Sequence, residues 1–184
     1  MDDERFSKEA SIDESTNKLV TLALEMARSA AASGKRYFMG GGLAIDLSLG
    51  KVSRNHHDID FHPELEDKKW WIEWFEKHGL KVKKIENSRF PETFKVENEA
   101  GEQVVDLWPF ALKEGVLLIN REGKYVDSGK HWHETRIVNY EGVDFRVENP
   151  QRVLEQKLRH TKEGQPFREQ DRHDFRLMGQ EPGI

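Results

Sequence analysis

Asp58-Ile59-Asp60-Phe61 alternates acidic and apolar residues as a half-buried strand does, and Pro63 closes the run. Side chains at i and i+2 of a strand leave from one face. The two carboxylates therefore stand close together and repel, while Ile59 turns toward a core. A like-charged pair of this kind persists where something neutralises it. A hard divalent cation with oxygen ligands does so, and magnesium is the usual one beside phosphates. The chain must accordingly build a sheet that carries acids on one face and packs a core with the other.

A third acid, Asp106, lies in Val104-Val105-Asp106-Leu107-Trp108, an apolar strand that holds a single charge. An acid in such surroundings needs a partner, and a strand laid beside Asp58–Asp60 would bring Asp106 to the same cations. Two metals held this way clamp the attacking and leaving oxygens of a phosphoryl displacement. Upstream, Gly40-Gly41-Gly42 separates an apolar run from a short helical one. Glycines there let backbone approach a phosphate, and a helix N-terminus adds N–H donors and a favourable dipole.

The remaining pattern places these residues in a mixed order of elements. Residues 1–10 read as a loose leader. A helix is expected from Ser11 to Ser33, with Leu19, Leu22, Ala23, Met26, Ala27 and Ala30 on one face and Gly34 as its stop. Tyr37–Met39 reads as a strand and Leu43–Leu49 as a helix ended by Gly50. Asp67–His78 is a helix rich in Trp and Phe. Strands follow at Lys81–Ile85, Thr93–Glu97 and Gln103–Leu107, the last two joined by a hairpin turn at Asn98–Gly101. Further strands are expected at Val116–Ile119, Arg136–Tyr140 and Asp144–Val147. Asn149 caps a helix with Pro150 at its first position. That helix runs to about Thr161, and a last one runs from about Arg168 to Met178. The expected fold is α/β (α+β): one domain with a small mixed sheet flanked by helices, a core over 35–109, and C-terminal strands and helices over 110–184.

Composition removes several alternatives. Hydrophobic residues make up 36% of the 184 and charged residues 34%, enough apolar sequence to build a core. A net charge of -5 argues against a dedicated nucleic-acid binder. With no cysteine, there is no disulfide scaffold, thiolate zinc site or Cys nucleophile. The acidic, polar start MDDERFSKEA does not read as a signal peptide, and no apolar run approaches a membrane span. A cytoplasmic protein is the expectation.

The stretch from Gly41 to Asp60 resembles, without a gap, the nucleotide-binding motif of the polymerase-β-type nucleotidyltransferases, in particular the branch of aminoglycoside 2''-adenylyltransferases and lincosamide nucleotidyltransferases. That branch opens with Gly-Gly and an aromatic, continues through Ala-Ile-Asp, a Gly, an Arg and a His, and closes on Asp-Ile-Asp. Here Gly41-Gly42, Ala44-Ile45-Asp46, Gly50, Arg54 and Asp58-Ile59-Asp60 stand in those places, and Leu43 replaces the usual Trp. Val105-Asp106-Leu107-Trp108-Pro109 resembles the strand of the third carboxylate. The tail from Asn149-Pro150 through Lys157 to Asp171-Arg172-His173-Asp174 resembles the C-terminal helices of many such enzymes.

The resemblance implies transfer of a nucleoside monophosphate from an NTP to a hydroxyl, with release of pyrophosphate. Asp58 and Asp60 would hold magnesium, two ions in all. Asp106 would complete the second metal site and take the hydroxyl proton. Gly41, Gly42, Ser53 and Arg54 would hold the triphosphate, and Lys157 would add a positive charge. The acceptor would be a small hydroxylated molecule such as an aminoglycoside or lincosamide antibiotic; because the chain is short for a core plus a full acceptor-binding domain, residues 110–184 are expected to supply the acceptor site with help from a second subunit of a homodimer. The alternatives are an enzyme acting on tRNA or protein, as a toxin does, and a non-catalytic nucleotide-binding relative. The departure at Leu43 makes the reaction better specified than the acceptor.

Other side chains read as structural. Asp46 is a structural or helix-surface acid. Trp70, Trp71, Trp74 and Phe75 are helix core rather than a stacking platform. His56 and His57 shape the loop or contact substrate rather than bind zinc. His131 and His133 would share a face on a strand, but no third metal ligand follows at suitable spacing.

Overall fold

The computed structural model describes residues 11–87 and 89–181, so the leader expected over 1–10 lies outside the described residues. Asp13 starts the first helix, α1 (Glu14–Ser33), by accepting the Thr16 N–H at 2.7 Å. Its apolar face, from Leu19 to Ala30, is buried. The chain then runs through β1 (Tyr37–Met39), α2 (Gly41–Ser48), β2 (Ile59–Pro63), a 3-10 turn, α3 (Lys68–Lys77), β3 (Lys81–Lys84), β4 (Phe94–Glu97) and β5 (Gln103–Leu107). After these come β6 (Ala111–Lys113), β7 (Val116–Arg121), β8 (Lys124–His131), β9 (Arg136–Tyr140), β10 (Val143–Val147), α4 (Pro150–Lys162) and α5 (Glu169–Leu177). The architecture is mixed α/β.

Seven strands form one sheet in the order β3-β4-β5-β2-β1-β10-β9. β1 is antiparallel to β2 and parallel to β10, and β2 is parallel to β5. Period-two alternation sorts the side chains. Tyr37 and Met39, Ile59 and Phe61, and Val105 and Leu107 face α1 and α3, where Trp71, Trp74 and Phe75 complete the core. Phe61, fully buried against Trp71 at 4.6 Å between ring centroids, contributes roughly 2–3 kcal/mol by leaving water. The aromatic cluster of α3 is therefore core, as the sequence indicates. The residues between these core positions, Asp60 and Asp106, point from the opposite face.

The structure extends the expected arrangement in two ways. The sheet is larger than a small one, because β9 and β10 join it beyond residue 109. In addition, Val116–Ile119 is the middle of a separate three-stranded antiparallel sheet, β6-β7-β8, whose outer strands the sequence reading did not pick out. Its two turns are Glu114-Gly115 and Glu122-Gly123, both residues of each at positive φ. This is the backbone of a type I′ hairpin, and Glu141-Gly142 repeats it between β9 and β10. The small sheet packs Leu117 and Phe110 on Phe38 of β1, beside the acidic face. α4 and α5 dock on α2 through Ile45, Val153, Leu154 and Phe175.

Candidate active site

The parallel pairing of β2 and β5 sets the floor of the site. Its register places Asp60 directly beside Asp106, with Ile59 beside Val105 and Phe61 beside Leu107. Asp58 sits one residue before β2 and accepts a hydrogen bond from Gln103 Nε2 at 3.3 Å. Burial, with the charges of Asp58 and Asp106 beside it, pushes the Asp60 carboxyl up to about 7. Asp106 is raised as well, by burial first and by Asp58, against a lowering hydrogen bond from the Trp108 side chain. Its Oδ1 is buried with no hydrogen-bond partner among the described residues.

Glycines bring backbone over this floor. The Gly40 N–H donates to the Asp60 carbonyl at 2.8 Å, and α2 begins immediately after it, two residues earlier than expected, with no side chain capping its N-terminus. Among the described residues no side chain accepts from its first N–H groups, which stand beside the acids. Gly41 has φ +63, and a Cβ there would lie 2.7 Å from Asp60 Cγ, with Oδ2 nearer still. A Cβ on Gly42 would lie 2.9 Å from Arg54 Cζ. Both positions exclude a side chain because Asp60 and Arg54 already lie against the backbone there.

The basic side chains lie between α2 and the C-terminal helices. Arg54 grips the buried Asp174 with two bonds, Nε to Oδ1 at 2.8 Å and Nη2 to Oδ2 at 3.1 Å. Lys157 lies 2.6 Å from Asp171 Oδ1 and 3.2 Å from Asp174 Oδ2, and its charge reaches Asp60. Arg168 pairs with Asp171 at 3.0 Å and its charge reaches Asp58. Arg168 and Lys157 hold the Asp171 carboxyl down to about 2, against the raising effect of burial. The structure thus gathers Gly41, Gly42, Arg54, Lys157, Asp58, Asp60 and Asp106 in one region.

Ser53 is at the same bend, but its polar atoms go elsewhere. Its N–H and Oγ both donate to Asp46, at 2.9 and 2.6 Å, and Oγ lies 3.0 Å from His173 Nε2. Asp46 also meets His56 Nε2 at 2.8 Å. Asp46 is fully buried, so of its two structural readings the helix-surface one is corrected. It pins the loop between α2 and β2, which carries Arg54 and Asp58. The order Asp46–Ser53–His173 also rules out a serine nucleophile, since the hydroxyl donates to the acid instead of to the imidazole.

Several residues of this region carry no motif. Glu148, at the end of β10, is buried, its charge reaches Asp60, and it pairs with Lys130 at 2.6 Å. His62 stacks on Phe38 at 4.4 Å. Burial, then the Lys130 charge, lowers its pKa to about 3, so it is a neutral wall. Asp171 and Asp174 lie in the tail that resembles the family's C-terminal helices, but nothing in the sequence marks them as partners of Arg54 and Lys157; three apart on α5, they leave from one face. His131 ends β8 and His133 lies in a 3-10 turn. Their rings are 5.3 Å apart, with no third ligand among the described residues.

A divalent cation suits the donors at Asp58, Asp60 and Asp106. The orphaned Asp106 oxygen and the mutual repulsion recorded in the raised Asp60 both call for positive charge. The carboxylates are neighbours rather than a closed cage: among the described residues, no three His, Asp or Glu side chains are gathered at metal-ligand spacing.

A profile of the family described as aminoglycoside-2''-adenylyltransferase matches residues 23–178. The fold is similar to the lincosamide antibiotic adenylyltransferase LnuA with lincomycin bound, at a TM-score of 0.70 and 20% identity over 91% of this chain and 98% of that one. It is also similar to ANT(2'')-Ia in complex with adenylyl-2''-tobramycin, at a TM-score of 0.64 and 20% identity over 88% of this chain and 87% of that one. An antigenic nucleotidyltransferase-like protein from Paracoccidioides brasiliensis shares the fold at a TM-score of 0.54 and 16% identity, over 89% of this chain and 76% of that one. No curated protein sequence matches.

Proposed function

The chain belongs to the aminoglycoside-2''-adenylyltransferase family, and from that premise we propose that it moves a nucleoside monophosphate from a magnesium–NTP complex to a hydroxyl of a small aminoglycoside- or lincosamide-like acceptor. It is a nucleotidyltransferase. The observation that carries the site is the register of β2 on β5, which sets Asp60 beside Asp106 under the glycine turn. Asp58, Asp60 and Asp106 would hold magnesium, which would neutralise the triphosphate and the charge that develops on it. Gly41 and Gly42 present the first turn of α2 to the phosphates. Arg54 and Lys157 lie along its flank.

The acceptor hydroxyl oxygen forms a bond to the α-phosphorus as the bond from that phosphorus to the bridging oxygen breaks, and pyrophosphate leaves with the electron pair. The hydroxyl proton passes to Asp106 Oδ1, the unpartnered oxygen. Positioning and charge neutralisation supply most of the rate. Residues 110–184 line the acceptor side, with the β6-β7-β8 sheet as its wall, and the acid face that includes Glu148 suits a cationic acceptor. We place the enzyme in the cytoplasm, where NTP and magnesium are at hand, and extend the acceptor side across a homodimer.

Pyrophosphate release is the test, with ATP or GTP, magnesium, and tobramycin or lincomycin, on wild type and on Asp58→Ala/Asp60→Ala. Release that needs the acceptor, the metal and both aspartates supports the reading. Magnesium-dependent nucleotide binding without transfer to either antibiotic points to a tRNA or protein acceptor. No magnesium-dependent nucleotide binding makes the chain a non-catalytic relative and removes the proposal.

A further inference from the structure

We infer that Asp174, from α5, is a positioning residue that holds Arg54 and Lys157 in the place where they meet the triphosphate; the inference rests on the transferase reading above. Asp174 is fully buried, and its two oxygens are divided between Arg54 Nε at 2.8 Å on one side and Arg54 Nη2 and Lys157 at 3.1 and 3.2 Å on the other. A two-bond grip on a guanidinium fixes its plane as well as its position. The plane matters here. The Nη2 edge lies against the α-carbon of Gly42, at the second residue of α2, and Asp174 Oδ2 would be 3.4 Å from a Cβ placed there. One carboxylate thus sets two cations, from elements more than a hundred residues apart in sequence, against the first turn of the helix that opens over Asp60.

The charge count supports a positioning role. Arg54, Lys157 and Arg168 face two carboxylates, Asp171 and Asp174, so one positive charge is left over. Without Asp174 the two cations would repel each other, and among the described residues neither has another acid within ion-pair distance that could replace it except Asp171 for Lys157. The docking of α5 does not depend on this carboxylate alone, because Phe175 packs with Ile45, Val153 and Leu154.

The two explanations of Asp174 differ in sign. If it merely dilutes a basic patch, Asp174→Asn leaves more positive charge beside the phosphates and the nucleotide binds more tightly. If it positions, the amide turns an N–H2 toward a cation, Arg54 and Lys157 drift, and the nucleotide binds more weakly. Calorimetry with a non-hydrolysable ATP analogue and magnesium reads the difference. The expected result is a dissociation constant raised about tenfold or more in D174N, largely restored in D174E, which keeps the charge. Arg54→Lys, which keeps the charge but loses the fork, should weaken binding similarly and provides the answer if D174N does not fold. Unchanged or tighter binding in D174N, or in R54K when D174N is unfolded, overturns the inference while leaving the transferase intact. Failure of D174E to restore binding assigns Asp174 a packing role and overturns it too. A wild type that binds no analogue removes both readings at once.

Discussion

Gly41→Ala separates the two demands made on the glycine turn. The first is conformational. At φ +63 an alanine Cβ crowds the following carbonyl, at a cost of about 1–2 kcal/mol. For a domain of this size that corresponds to a fall in Tm of roughly 2–8 °C. The second is steric and specific to the site. The new Cβ would sit 2.7 Å from Asp60 Cγ, inside the 3.0 Å that real Cβ atoms keep. The Asp60 carboxylate has to move by an ångström or so, and a misplacement of that size costs on the order of a hundredfold in rate. Gly34 supplies the control, with φ +64 and nothing within 4 Å of a built Cβ. Gly34→Ala should therefore show the conformational loss of Tm alone, and Gly41→Ala at least as large a loss, in thermal unfolding monitored by circular dichroism. Only Gly41→Ala should lose magnesium-dependent nucleotidyl transfer, by about a hundredfold or more. Equal activity in the two variants would show that Asp60 does not need its present position, and the geometric reading of the site would fall with it.

The other expectations concern charge and turn chemistry. The Asp60 carboxyl is raised to about 7 by burial and by Asp58 and Asp106, above the value of about 4 in an unfolded chain. The folded protein therefore keeps a proton that the unfolded chain releases, and metal-free stability falls as pH rises from about 4 to about 7. Thermal melts should show magnesium raising Tm more at about pH 8 than at about pH 5, and Asp60→Asn should flatten that difference. For Asp46, burial works upward but the His56 and Ser53 hydrogen bonds outweigh it and the carboxyl is lowered. Its stabilising effect is present at neutral pH and lost as pH falls through the folded value. Asp46→Asn should cost about 3 kcal/mol in urea unfolding at pH 7, with the gap to wild type narrowing below about pH 4. A gap that does not narrow would mean that the Asp46 charge is not what holds the loop. Glu122 occupies a left-handed position at φ 53, which asparagine adopts more readily. Glu122→Asn should stabilise by a few tenths to about 1 kcal/mol in the same assay, and a loss of stability would count against the type I′ assignment.

Much of the fold could be read from periodicity because one face of each main strand is fully buried. Ile59 and Phe61 alternate with Asp58, Asp60 and His62, which fixes strand and facing together, while Val104–Trp108 reads as a strand from its apolar run with Asp106 as the one charge in it. α1 is legible from the spacing of Leu19 to Ala30 and from Gly34 as its stop, though not from its cap Asp13, and α4 from Asn149-Pro150. The β6 and β8 strands were not, for a physical reason. Their turns are Glu-Gly, and glutamate gives no turn signal of the kind that Asn-Gly or Asp-Gly gives. Lys124–His131 also has little to bury: half of its residues are exposed and none is fully buried, so no apolar alternation marks it.

The acids of the site announced themselves for the opposite reason, as charges where an apolar strand should have none. The basic side was harder to read. Lys157 and Arg54 are ordinary residues on a helix and in a loop until Asp174 is known to lie between them, and that contact joins residues 120 apart. Local spacing records which face a side chain leaves from. It does not record which distant element meets that face. Asp58, Asp60 and Asp106 share a site through one strand pairing, whereas Arg54, Lys157, Asp171 and Asp174 share theirs only because Ile45 of α2 packs against Val153, Leu154 and Phe175. The apolar contact is thus what assembles the charged network, and a substitution at Phe175 that loosened α5 should disturb nucleotide binding without touching a single charge.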